Sequence, residues 1–345
     1  MKSNIFRFCL TITVLLVLLI PSFGSVAAAP QDEPPGLQRA IEVKEQHVNA
    51  LLETPGVVAV GAGNNRNGNA AVIVFTETRG VRGIPIFIDG VPVVAQYSGT
   101  FYASPKPDGK GKPPKKRDPV DPTSRFARPV PIGVSTGHPD ITAGTIGARV
   151  KGSDGNVYAL SNNHVYANEN LASIGDAVIQ PGAYDGGISP DDYIGTLHAF
   201  VPIDFGGINY VDAALASTTT ALLSNSTPSD GYGIPQSSTA PATIRLKVKK
   251  YGRTTGETNG RVYAINVTVN VGYDSGVARF DNQIIVTPGS FSSGGDSGSL
   301  IVVDNKRSAD HLSPVGLLFA GSSQYTVANP IDSVLSVFGV TIDGN

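Results

Sequence analysis

Cysteine is nearly absent from this 345-residue chain, and the only one, Cys9, lies inside an N-terminal apolar run. Lys2 and Arg7 precede that run, Leu10 to Ile20, and the small residues Ser25-Val26-Ala27-Ala28-Ala29 follow it, which is the pattern of an export signal over residues 1–29. With the signal removed, the remaining chain has neither a disulfide nor a thiol nucleophile, so its stability has to come from core packing. Long hydrophobic runs are also lacking. Leu10 to Ile20 is shorter than the roughly 20 apolar residues that a membrane-spanning helix needs. The expectation is a secreted protein without stable membrane insertion once the signal is gone. Neither sign of charge dominates, since 26 Lys and Arg stand against 28 Asp and Glu for a formal net charge of −2. Nothing global therefore points to nucleic acid or to an anionic membrane. Histidine is scarce, at five residues. No zinc-ligand spacing, complete calcium loop or phosphate loop is present, so no metal and no organic cofactor is expected. The sequence sets no oligomeric state.

What the chain does have is the string Gly295-Asp296-Ser297-Gly298-Ser299, which follows Ser290-Phe291-Ser292-Ser293-Gly294. Small residues on both sides can hold the Ser297 hydroxyl at an exposed bend, with the Gly295 and Ser297 amides converging on an oxygen that becomes negative during acyl transfer. Read alone, the string is equally a glycine-serine surface loop. A serine nucleophile needs an imidazole to take its proton and a carboxylate to fix that imidazole's tautomer. Of the five histidines, His47 falls in a surface helix, His138 in a Gly/Pro turn, His198 among Thr196-Leu197-His198-Ala199-Phe200, and His311 in a polar loop. His164 stands apart, following the strand-like run Val157-Tyr158-Ala159-Leu160 where a strand enters a turn. Among the acids, Asp212 precedes the apolar run Ala213-Ala214-Leu215-Ala216, where a carboxylate is costly unless paired. Asp191, Asp192 and Asp204 lie among Gly, Ser and Pro and read as solvated loop residues.

The order His164, Asp212, Ser297 with these flanking residues resembles the chymotrypsin/trypsin-like serine protease superfamily. Gly252-Arg253-Thr254-Thr255-Gly256 is similar to a segment of the secreted bacterial, streptogrisin-like branch. Ala159-Leu160-Ser161-Asn162-Asn163-His164-Val165 and Pro314-Val315-Gly316-Leu317-Leu318-Phe319-Ala320-Gly321-Ser322 resemble the narrow-leaf-like relatives. The resemblance implies a mainly β fold of two antiparallel six-stranded barrels, with His164 and Asp212 from the first barrel and Ser297 from the second. It implies an oxyanion hole of Gly295 and Ser297, and a stabilising ion pair between Asp296 and Arg253. It also places an extended peptide along Phe319 to Gly321, with Phe291 and Gly294 bordering the specificity pocket. No acid stands at the Phe291 position, so the expectation leans toward apolar or small side chains before the scissile bond. The implied activity is peptide-bond hydrolysis on a peptide or protein substrate. The rivals are a protease-fold protein that only binds peptide or a surface partner, and an esterase, whose Gly-x-Ser-x-Gly elbow this chain does not show.

The protease-like region spans residues 129–345. Its short alternating segments, among them Gly147–Val150, Ile244–Val248, Val262–Val269 and Leu300–Val303, alternate with Gly, Asn, Asp and Ser turns, and its one expected helix is Ile331 to Phe338. Residues 105–128 contain the basic, Pro/Gly-rich stretch Lys106 to Arg117, which reads as a flexible linker rather than as a site for acidic polymers. Ahead of it, residues 30–104 form a small α+β module. Leu37 to Leu52 has helical periodicity, Pro55-Gly56 ends it, and strand patterns follow at Val57–Gly61, Ala70–Phe75 and Ile84–Ala95, the last turning at Asp89-Gly90. The sequence leaves open whether this module is a removable pro-region or a permanent accessory domain.

Overall fold

A computed structural model of the protein describes residues 33–103 and 120–345. The expected export signal, Cys9 and the basic stretch Lys106–Arg117 lie outside the described residues. Everything described falls within one compact unit, Asp32–Asn345.

The N-terminal module forms as its periodicity requires. Helix α1 (Leu37–Leu52) buries Leu37, Ala40, Val43, Val48 and Leu51 on one face. It packs on antiparallel strands β1 (Val57–Asn64) and β2 (Ala70–Thr76), in register at Val60↔Val74. Strands β3 (Phe87–Ile88) and β4 (Val91–Tyr97) turn at Asp89-Gly90, where both residues take positive φ (48° and 78°), the geometry that selects an Asp-Gly pair. Strand β4 lies parallel to β2, and the short β5 (Phe101–Tyr102) follows.

The protease-like region opens with β6 (Ser135–Thr136), β7 (Gly144–Thr145), β8 (Ala148–Gly152) and β9 (Val157–Ser161). Helix α2 (Asn163–Tyr166), a single turn, follows β9 directly, so His164 sits on a helical turn rather than on the plain strand-end turn expected. Next come β10 (Ala177–Ile179), β11 (Tyr193–Phe200), β12 (Ile208–Asn209) and β13 (Ala214–Ser217). The second half contains β14 (Lys247–Gly252), the long hairpin β15 (Gly256–Tyr273) and β16 (Gly276–Thr287), then β17 (Leu300–Val303), β18 (Pro314–Gly321) and β19 (Thr326–Pro330). Helix α3 (Ile331–Phe338) and β20 (Val340–Ile342) end the chain. The strand expected at Ile244–Val248 begins only at Lys247, because Arg245 takes a left-handed φ of 71° that breaks an extended run.

The fold is mainly β. One sheet runs β10-β11-β13-β9-β8-β20. In the other, the antiparallel pairings β14–β15, β15–β16, β16–β19, β19–β18, β18–β17 and β17–β14 form a closed circuit. This second sheet has twelve strands rather than six because the five strands of the N-terminal module, β1 to β5, and the short β12 join it. Strand β1 pairs with β15 at Val60↔Thr268. Strand β5 pairs parallel to β15 at Val271↔Phe101 and antiparallel to β18 at Gly321↔Tyr102.

The module thus shares a core with the strands of the closed circuit. Phe75 of β2 meets Phe101, Tyr263 and Tyr325 edge-on, and Val267, Val269, Phe280 and Phe319 belong to the same apolar cluster. Lys44 of α1 is fully buried and donates to Thr268 Oγ1 at 2.9 Å; burial holds its pKa below the usual lysine value. Residues 120–128, expected as linker, pack on the body. Arg125 pairs with Asp192 at 2.5 Å, and Arg128 reaches the Gln180 side chain at 3.2 Å. Asp192 is therefore buried, not solvated, and the Arg125 guanidinium holds its carboxyl below the usual range.

Candidate active site

His164 and Asp212 are brought together by two neighbouring strands. Strand β9 pairs with β13 at Ser161↔Ala214, which sets α2 beside the residues just ahead of β13. Asn162 donates through its side-chain amide to the Asp212 carbonyl at 2.7 Å, and the His164 backbone N–H donates to Asp212 Oδ1 at 3.3 Å. His164 Nδ1 lies 2.6 Å from Asp212 Oδ2. An ionised carboxylate only accepts, so Nδ1 carries the proton and Nε2 is left with its lone pair. That Nε2 is buried and has no hydrogen-bond partner among the described residues.

Asp212 is fully buried, as the apolar run after it implied. Its Oδ2 also accepts from the Tyr273 hydroxyl at 2.9 Å, and its N–H donates to Asn329 Oδ1 at 3.1 Å. Burial first, and then the Asp212 charge, push the Tyr273 phenol well above its ordinary pKa, so it stays a donor. The Tyr273 ring stands edge-on to the His164 imidazole at 6.0 Å between centroids.

Ser297 sits in a loop whose glycines are required by its shape. Gly295 and Gly298 have φ of 92° and 95°, and a Cβ at Gly298 would lie 2.2 Å from the Thr145 carbonyl oxygen. Strand β7 ties this loop to the histidine side: Thr145 N–H donates to the Ser297 carbonyl at 2.8 Å, and Ser161, at the end of β9, donates to the Thr145 carbonyl at 2.8 Å. The Gly294 and Gly295 carbonyls accept from Thr254 Oγ1 (2.6 Å) and Thr145 Oγ1 (2.9 Å). The N–H groups of Asp296 and Gly298 are used inside the protein, on Ser293 and Leu318 carbonyls. The Ser297 hydroxyl, nearly buried, does not donate to His164. It donates to the carbonyl of Ala103 at 2.9 Å.

The Asp296–Arg253 ion pair implied by the resemblance is not made. Arg253 forms a two-pronged pair with Asp185, through Nε to Oδ2 at 2.8 Å and a second guanidinium contact to Oδ1, and lies over the Tyr184 ring. Asp296 is held instead by the backbone of the Gly-Arg-Thr-Thr-Gly loop and by a lysine. It accepts from the N–H groups of Thr254 (2.8 Å), Thr255 (3.2 Å) and Ser293 (3.0 Å) and from Thr255 Oγ1 (2.7 Å), and Lys250 Nζ is 3.2 Å away. Lys250 and Asp296 are both fully buried. Burial lowers the Lys250 pKa against the opposing pull of Asp296.

A cavity of about 380 Å³ opens beside Ser297, bounded by Ser292, Ser293, Gly294, Ala320 and Gly321 together with Ala103 of the N-terminal module. Gly294 lines it as expected, and Gly321, expected on the strand edge, borders it too. Phe291 does not line it: its ring is fully buried in the core under Lys250. The ring of Phe319, expected on the same strand edge, is also buried, against Phe280 at 4.8 Å between centroids. Sequence reasoning also missed Tyr273, Lys250, Asp185 and Ala103. Only Lys250 left a trace, as a lysine in a strand two residues ahead of Gly252.

This architecture of a closed antiparallel circuit bearing the serine loop, and a second sheet bearing the histidine and aspartate, falls in the class of bacterial chymotrypsin-like proteins. A family model described as the Nal1 C-terminal domain matches residues 186–329. Glutamyl endopeptidase 2 of Streptomyces griseus is 31% identical over 144 residues, which cover 42% of this chain and 69% of that relative. Similar solved structures include a glutamic acid specific serine protease that utilizes a histidine triad in substrate binding (23% identity, TM-score 0.46, covering 62% of this chain and 100% of that one). Another is protease A of Thermobifida fusca (18% identity, TM-score 0.45, covering 63% of this chain and 100% of that one). The chain belongs to the bacterial chymotrypsin-like serine protease family, among its streptogrisin-like members.

The Lys250–Asp296 pair makes a testable claim. Removing one partner of a buried ion pair leaves the other charge uncompensated, so Lys250→Met should cost about 3–5 kcal/mol of unfolding free energy. Adding Asp296→Asn to the same chain should recover part of that loss. Urea unfolding of the single and double variants measures both; additive losses would mean that the two residues are not coupled.

Proposed function

We propose that the chain is a secreted bacterial serine endopeptidase working through Ser297, His164 and Asp212. The observation that carries this reading is the buried His164 imidazole: Nδ1 is fixed at 2.6 Å from Asp212, while Nε2 has no hydrogen-bond partner among the described residues. Ser297 Oγ attacks the carbonyl carbon of a peptide bond and its proton passes to His164 Nε2. Asp212 stabilises the imidazolium, and Tyr273 holds the carboxylate from its other side. The Gly295 and Ser297 amides face the developing oxyanion, with Asp296 and its lysine and threonine donors keeping the loop in place. The imidazolium then protonates the leaving amine, and water, deprotonated by the same imidazole, hydrolyses the acyl-enzyme. In this reading the two six-stranded barrels of the superfamily correspond to the β14–β19 circuit and to the sheet that carries His164 and Asp212. Substrate lies along β18 by strand addition at Ala320–Gly321.

The cavity beside Ser297 bears on specificity. The name of the Streptomyces griseus relative points to glutamate, yet the residues lining this cavity supply hydroxyls, from Ser292, Ser293, Ser322 and Ser323, and no Lys, Arg or His. A carboxylate entering it would exchange its hydration for neutral donors alone, which favours small uncharged side chains.

Two measurements test these statements. His164→Ala and Ser297→Ala should each lower kcat for peptide hydrolysis by roughly 10⁶-fold while leaving the fold intact, as loss of the nucleophile or its base does in this chemistry. Retention of wild-type turnover by either variant would refute the triad. Across peptides matched except at the residue before the scissile bond, kcat/KM with Ala should exceed that with Glu by at least about tenfold, equivalent to ~1.4 kcal/mol. A preference for Glu would overturn the pocket assignment.

A further inference from the structure

We propose that Arg253 is a positioning residue of the oxyanion hole, a role that rests on the serine endopeptidase reading and says what holds one of the two donors in line. Each donor is one half of a peptide unit. That unit is planar and trans, so its N–H points opposite to its carbonyl, and whatever fixes the carbonyl fixes the donor. For the Ser297 N–H the carbonyl is that of Asp296, which accepts from Ser299 Oγ at 2.6 Å. For the Gly295 N–H it is the carbonyl of Gly294. A peptide between two glycines, the second at a φ of 92°, turns against little steric resistance, so the direction of the Gly295 N–H has to be set from outside the loop.

Two threonine hydroxyls set it, and Arg253 donates to both. Its Nη1 donates to Thr254 Oγ1 at 3.0 Å, and Thr254 Oγ1 donates to the Gly294 carbonyl at 2.6 Å. Its backbone N–H donates to Thr145 Oγ1 at 3.0 Å, and Thr145 Oγ1 donates to the Gly295 carbonyl at 2.9 Å. A hydroxyl has a single proton, and a guanidinium or a backbone N–H can only donate. Each threonine therefore accepts from Arg253 and keeps its proton for the loop. The two carbonyls that flank the Gly295 Cα are held in this way from one residue. The contact is close: a Cβ on Gly295 would lie 2.6 Å from Thr254 Oγ1 and 3.2 Å from Arg253 Nη1.

Arg253 is itself anchored on the other sheet. Asp185 ends the short 3-10 turn Ala183–Asp185 between β10 and β11, two strands of the sheet that carries His164 and Asp212. Its carboxylate takes Arg253 Nε and Nη2, and Ser135 Oγ donates to the same group at 2.5 Å. Both side chains of the pair are almost wholly buried. With Nε and Nη2 committed to Asp185, the third corner of the fork, Nη1, is turned to Thr254. A charged donor shielded from water polarises the hydroxyl that it reaches and strengthens that hydroxyl's own bond to the Gly294 carbonyl. A lysine has one nitrogen in place of the fork and cannot span Asp185 and Thr254 in this geometry. The oxyanion donor is thus tied to the sheet that bears the general base.

Three variants of the full chain test this role. Thr254→Val keeps the side-chain shape and removes the hydroxyl, Thr254→Ser restores a hydroxyl, and Arg253→Lys keeps the charge and loses the fork. An interaction made only in the transition state changes kcat and leaves KM alone, and outright loss of one oxyanion donor costs about 10²–10³-fold. Thr254→Val and Arg253→Lys should each lower kcat for a short peptide anilide by at least about tenfold with KM within about twofold of wild type, while Thr254→Ser stays within about threefold of wild-type kcat. Crystal structures of the first two read the peptide independently of catalysis: the Gly294 carbonyl should be turned from its wild-type direction in both. Wild-type kcat in either variant overturns the role, as does an unmoved Gly294 carbonyl in either, or a loss in Thr254→Ser as deep as in Thr254→Val. No hydrolysis by the wild-type chain overturns it too, and that outcome alone places the failure in the serine endopeptidase reading.

Discussion

A buried carboxylate organises this protein. Asp212 is fully sequestered from water, and a charge in that position is tolerated only when several donors converge on it. The donors come from distant parts of the chain: the imidazole and backbone N–H of His164 on α2, and the hydroxyl of Tyr273 at the end of β15. The backbone of Asp212 is fixed in addition by Asn162, and by Asn329 of β19, whose own amide bonds to Gln283 of β16. Both sheets are therefore set in register around one charge. The tautomer of His164 follows from it, and with the tautomer follows the orientation of the lone pair on Nε2.

Strand β15 extends that constraint outward. Along its 18 residues it pairs with β14 and β16, accepts β1 from the module near Val269, accepts β5 at Val271–Gly272, and ends in Tyr273 against Asp212. Glu169 accepts from the backbone N–H groups of Asp274 and Ser275 at 3.1 and 2.8 Å, which locks the hairpin tip to the loop after His164. The pairing partners of Phe101–Ala103 and the hydroxyl that positions Asp212 are thus adjacent along β15, at Gly272 and Tyr273.

Much of this could be read from the sequence where the signal was local. The Asp89-Gly90 turn, the α1 face and the strands of the module each depend on a few consecutive residues, and the position of Asp212 ahead of an apolar run called for the partner it has in His164. What failed depended on partners far apart in sequence. The resemblance placed Phe291 at the specificity pocket, but its ring turns into the core, where packing partners far away in sequence hold it. A lysine in a strand reads as solvated, so Lys250 was passed over as the partner of Asp296, and Arg253, in the recognisable loop, was given a role that its long side chain does not reach for. Tyr273 and Ala103 carry no motif at all. Their importance comes only from how a hairpin and a module edge meet the site.

The central claim is that Ser297 is a nucleophile activated by His164, and the most direct measurement is the location of a covalent adduct. Protein treated with an organofluorophosphonate and digested should carry the added mass on the peptide containing Ser297, and His164→Ala should abolish it. An adduct on another residue, or labelling of Ser297 that persists at the same rate without His164, would contradict the account.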